Sequence, residues 1–87
     1  MIRVFTLKEN EEERLYCATT AKTKEEAIEN FKERMIKDEK EYEEWSIKRG
    51  PITVEWLFDG FYTISEWENC RIISEEQIEL KRDDDES

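Results

Sequence analysis

The sequence predicts an α+β domain: an antiparallel β-sheet in the order β-β-α-β-β, ending in a short fifth strand or a C-terminal helix, with one long helix packed on one face. Three observations predict it. Two alternating, strand-like runs near the start are separated by a short acidic loop. A capping box then opens a helical apolar stripe. Finally, Ile52 to Trp67 reads as an aromatic hairpin around Asp59-Gly60.

Ile2 to Lys8 alternates, with Ile2, Val4 and Thr6 on one face and Arg3, Phe5 and Leu7 on the other. Glu9 to Glu13 is a polar loop, and Arg14 to Thr20 is rich in β-formers. So short a loop makes an antiparallel hairpin the natural connection. Thr23-Lys24-Glu25-Glu26 is a capping box: the Thr23 hydroxyl can accept from a first-turn amide, and Glu26 can reach back. The helix that follows, from Lys24 to Trp45 or Lys48, carries Ala27, Ile28, Phe31, Met35, Tyr42 and Trp45 as its apolar stripe. Asp38 and Glu39 interrupt that stripe, so the second half of the helix either bends or projects beyond the sheet. Gly50-Pro51 stops it.

The stretch 52–67 holds half of the chain's ten aromatic residues: Trp56, Phe58, Phe61, Tyr62 and Trp67. Asp-Gly suits the two positive φ angles of a type I′ turn. A turn there sets Phe58 against Phe61, Leu57 against Tyr62 and Ile52 against Trp67. Ile52, Val54, Trp56, Phe58, Phe61 and Trp67 then form the core face. Leu57, Tyr62 and Ile64 form a smaller reverse face available to a partner. Beyond a turn at Glu68-Asn69, Cys70 to Ile73 suits a strand. Ser74 to Gln77 suits a second capping box opening a short helix through Leu80, although the alternation of Ile78 and Leu80 also permits a strand. Residues 1–80 form a single domain, and 81–87 a disordered acidic tail.

At 87 residues there is room for one core. Charged residues make up 44% of the chain, but an aromatic share of 11% is too high for a disordered one. No membrane span or signal peptide is visible, which places the protein in the cytoplasm, where Cys17 and Cys70 stay reduced. The chain has no histidine, so neither a Ser-His-acid triad nor a Cys-His pair can be built. Two glycines cannot make a phosphate-cradling loop. No metal site, cofactor or catalytic residue is expected.

Net charge is −10. Residues 23–45 carry nine acidic against five basic groups, and residues 71–87 seven against three. Such a surface repels nucleic acid and anionic membranes and attracts basic surfaces. Glu25, Glu29 and Glu33 recur every four residues, which stacks carboxylates roughly 6 Å apart, near the phosphate spacing of a nucleic-acid strand. The same helix offers Glu33–Lys37 and Glu44–Lys48 as ordinary i, i+4 ion pairs.

In size, acidity and lack of motifs the chain is similar to phage-encoded inhibitors of host or defence enzymes, anti-CRISPR proteins among them, though no stretch of it matches a particular family. The likeness implies a non-catalytic DNA mimic that inhibits a nucleic-acid-binding enzyme by steric and electrostatic competition. The partner is then a protein with a basic surface, met by Glu25, Glu29, Glu33, Trp45 and Tyr62. The competing expectation is a self-associating structural or regulatory domain, dimerising through the aromatic hairpin or the Tyr42–Trp45 end of the helix.

Overall fold

The computed structural model describes residues 2–49 and 60–81. Four strands and one helix make up this part: β1 (Arg3–Glu9), β2 (Arg14–Ala21), α1 (Lys24–Arg49), β3 (Gly60–Glu68) and β4 (Arg71–Leu80). The strands form one antiparallel sheet in the order β2-β1-β3-β4. The expected α+β architecture is therefore present, and residues 74–80 are strand rather than helix. The expected first hairpin arm, Ile52–Phe58, with Asp59, the Gly50-Pro51 stop and the acidic tail from Arg82 onward lie outside the described residues.

Each hairpin has its own turn chemistry. Glu9 pairs with Arg14, so β1 and β2 are joined by the four-residue loop Asn10–Glu13, which ends at Glu13 with φ 54°. The Glu12 amide donates to Glu9 Oε1 at 2.7 Å inside this loop. Glu68 pairs with Arg71, leaving Asn69 and Cys70 as a two-residue turn with φ 53° and 63°. Two successive positive φ values mark the type I′ geometry that matches the right-handed twist of a hairpin. The tight turn is thus at Asn69-Cys70. Gly60 is a strand residue whose φ lies outside the left-handed region, so it does not supply a type I′ turn. Both edges of β3 are also filled: Tyr62–Trp67 pairs with β1, and Gly60–Glu68 pairs with β4. The register expected for 58 against 61 finds no open edge on this strand.

The pairing also reverses the expected faces of the aromatic stretch. Phe5 and Leu7 are buried, and Leu7 stands opposite Ile64 while Glu9 stands opposite Tyr62. Strand side chains alternate, so Tyr62 and Ile64 point to the helix with Phe5 and Leu7. Phe61 points away and is 55% exposed. Tyr62 is 2% exposed and Ile64 is equally buried, so neither belongs to a reverse face open to a partner. The larger rings at 61 and 67 suggested the wrong parity. The strand's true partners, β1 and β4, decide it.

The core lies between the helix and this face. Ala27, Phe31 and Met35 from α1 meet Phe5, Leu7, Ala21, Tyr62, Ile64 and Leu80, with Tyr16, Cys17, Ile28 and Ile78 packed around them. A β-bulge between Leu7 and Lys8 sets Cys17 against Leu7 and Leu15 against Lys8, leaving Tyr16 as the extra residue. The bulge aims both Tyr16 and Cys17 toward the helix. Tyr16 then donates its hydroxyl to Asp38 Oδ2 at 2.5 Å, and Arg34 Nε donates to both Asp38 oxygens at 3.2 and 3.3 Å. The carboxylate that interrupts the apolar stripe is thus the acceptor that fastens the middle of the helix to β2. Burial, then the hydrogen bond to Asp38, holds the Tyr16 phenol well above its ordinary range. Burial also pushes the Cys17 thiol up, against the opposing pull of Arg34.

Candidate functional site

The helix begins where the sequence places it. The Glu26 amide donates to Thr23 Oγ1 at 3.1 Å, and the Ala27 amide donates to the Thr23 carbonyl at 3.1 Å. Glu25 and Glu26 occupy the first turn, where the helix dipole favours negative charge. From this start the two faces of the helix separate by arithmetic. Glu25, Glu29 and Glu33 each precede a core residue, Ala27, Phe31 or Met35, by two positions, and two positions are about 200° around the axis. The core residues are buried and the three glutamates are exposed, on opposite sides of the helix.

The row is short and unequal. Eight residues at about 1.5 Å each make it about 12 Å long. Glu25 lies in the field of Arg3 and Lys24, helping to hold both cations charged. Those cations have closer partners. Arg3 grips Glu66 with two hydrogen bonds of 2.7 and 2.8 Å, and Lys24 pairs with Glu76 on β4. The bidentate grip, more than any other cause, holds the Glu66 carboxyl below the usual carboxylate range. Glu29 and Glu33 make no ion pair among the described residues. The expected Glu33–Lys37 pair does not form, and Arg34–Asp38 is an i, i+4 pair that does; Lys48 of the expected Glu44–Lys48 pair lies outside the described side chains. After Glu33 the exposed surface continues as Ile36, Lys37 and Lys40, which breaks the run of negative charge.

The aromatic part of the expected site divides. Trp45 is 45% exposed, and its ring lies 5.5 Å from that of Tyr42 at a 53° tilt. Asp38 meets Tyr16 near the start of β2, and eleven more helical residues follow it, about 16 Å of helix. Tyr42 and Trp45 sit on that extension. Tyr62 does not join them, because its burial in the core removes it from any contact surface.

Two further exposed carboxylates, Glu75 and Glu79, share the outer face of β4, an edge strand of ten residues, while Glu76 turns to the helix side and pairs with Lys24. A helix start expected over 74–80 hides this division, and strand alternation gives it.

No group of three His, Cys, Asp or Glu side chains is placed to hold a metal ion among the described residues. No helix among them is long and apolar enough to cross a membrane. The chain matches no protein-family model, no curated protein and no solved structure.

Proposed function

We propose that the protein is a non-catalytic acidic binding module that occupies the basic surface of a nucleic-acid-handling protein, in the cytoplasm, and blocks it by steric and electrostatic competition. One observation carries this reading: the first three turns of α1 turn a row of exposed carboxylates, Glu25, Glu29 and Glu33, away from the core. Placed about 6 Å apart, such carboxylates present charge at a spacing a phosphate-binding groove accepts. Two of the three, Glu29 and Glu33, form no ion pair among the described residues, which leaves them open to a basic partner. Trp45, half-exposed on the helical extension, supplies an aromatic anchor of the type enriched in interface hot spots. The reading covers anti-defence inhibitors of the phage type as one case.

The test is capture of binding proteins on the immobilised chain from its native host, beside a Glu25→Gln/Glu29→Gln/Glu33→Gln variant. Retained proteins that bind nucleic acid, are displaced by duplex DNA, and are lost both at high salt and with the triple variant support the reading. A retained set indifferent to salt, to DNA and to the triple substitution sinks it.

A further inference from the structure

The helix covers one face of the sheet, and the opposite face is the most apolar exposed surface among the described residues. The register assigns its rows. Thr20, Val4, Trp67 and Ile72 lie across one end, followed by Ala18, Thr6, Ser65 and Glu75, then Leu15, Lys8, Thr63 and Gln77, with Phe61 beside Glu79 at the other end. A second bulge, between Glu66 and Trp67, makes Ile73 the extra residue, exposed beside Ile72. Of eight exposed large apolar side chains among the described residues, Ile36 and Trp45 are on the helix; Val4, Leu15, Phe61 and Ile72 lie on this face, Ile2 continues its alternation, and Ile73 sits at the bulge beside Ile72. Patches of this kind mark association surfaces.

We infer that this face docks against the same face of a second copy of the chain, forming a twofold β-sandwich with both acidic helices outside. Three features select a second copy. The first is charge. The face carries Lys8 against Glu75 and Glu79, a net −1, while the whole chain carries −10. Its low net charge lets two such molecules approach with the Glu25–Glu29–Glu33 rows of their helices turned away from each other. The second is that two of its polar groups at the centre are already satisfied. Trp67 Nε1 donates to Thr6 Oγ1 at 2.8 Å, and Thr63 Oγ1 donates to Asn10 Oδ1 at 2.9 Å. Burial of this face therefore strands neither the indole nor the threonine hydroxyl. The third is relief and area. Small residues (Thr6, Ala18, Thr63 and Ser65) fill the centre, which suits the ~10 Å separation of packed sheets. Four strands about 4.8 Å apart, over seven residues at about 3.3 Å, project roughly 440 Å². That projection is about half of the ~800 Å² per partner of a standard interface, so a stable contact has to use the whole face.

This inference is independent of the inhibitor reading, because it leaves Glu25, Glu29, Glu33 and Trp45 outside the contact. The experiment is sedimentation velocity with light scattering, from low to high micromolar concentration. The expected result is twice the monomer mass for the wild type, with the monomer mass for Val4→Glu/Ile72→Glu and for Lys8→Glu, each checked for retained folding by circular dichroism. Ile36→Glu and Trp45→Glu are expected to remain dimeric. A wild-type monomer throughout overturns the inference. So does a dimer that survives the outer-face variants, or one abolished by Trp45→Glu instead.

Discussion

Replacing Cys70 by glycine is expected to stabilise the protein. Cys70 is the second residue of the Asn69-Cys70 turn and has φ 63°, in the left-handed region. For an L-residue that conformation costs roughly 1–2 kcal/mol, which glycine does not incur. Glycine is freer in the unfolded chain, and this offsets about 0.5–1 kcal/mol of the gain. The Cys70 side chain is exposed, and no packing is lost with it. The net gain is about 0.5–1 kcal/mol, which at ~4–8 °C per kcal/mol for a domain of this size raises Tm by about 2–8 °C. Thermal and urea unfolding of Cys70→Gly and Cys70→Ala beside the wild type measure it, with an unchanged urea slope expected for both. The alanine variant keeps the Cβ, so it should gain nothing. If alanine stabilises as much as glycine, the thiol and not the backbone is responsible, and the argument fails. A destabilised glycine variant refutes it equally.

Four further outcomes follow from the same contacts. Tyr16→Phe should cost about 1–2 kcal/mol at neutral pH, toward the low end for a hydrogen bond to a charged group because Asp38 keeps Arg34. Because the folded-state pKa of Tyr16 is raised, its contribution is complete below about pH 10 and is lost as the pH climbs past that value, so unfolding curves of the phenylalanine variant should fall off less steeply in alkali. For Glu66 the folded pKa is depressed; its contribution is present above the ordinary carboxylate range and lost as the pH falls through and below it, and Glu66→Gln should flatten the acid limb of a stability-versus-pH curve. Thr23→Ala removes the acceptor of the Glu26 amide and should cost about 1 kcal/mol in thermal unfolding. Iodoacetamide should label Cys70 well before Cys17 in the native protein, since Cys17 is half-buried with a raised pKa, and the difference should vanish in urea.

The helix was legible because its signals are local: Thr23 caps it, and Ala27, Phe31 and Met35 repeat at the helical period. The first hairpin was legible for the same reason. The second was misplaced because Asp59-Gly60 is a stronger turn signal than Asn69-Cys70, while β3 takes its neighbours from β1 and β4. Facing then went wrong by one residue, which in a strand exchanges the two sides entirely. That single inversion removed Tyr62 from the candidate site. The outward facing of Glu25, Glu29 and Glu33 was legible because helical facing depends on period alone. Neither bulge announces itself in sequence, so the placing of Tyr16 against Asp38, and of Ile73 beside Ile72, required the pairing of distant strands.

The junction of β1 with β3 shapes how the molecule assembles. Each hairpin closes over two or four residues, whereas Leu7 meets Ile64 across most of the chain. Local hairpins form in microseconds, but a long closure must pay its loop entropy before any contact rewards it. The Arg3–Glu66 clasp, the Trp67–Thr6 bond and the Asn10 contacts with Phe61 and Thr63 all cross this one junction. They are therefore expected to form together, late on the folding path, once β1 and β3 have met. Substitutions at this seam slow folding if closure is the barrier, and the two hairpins, whose strands pair through it, are the units that two chains would exchange in a domain swap.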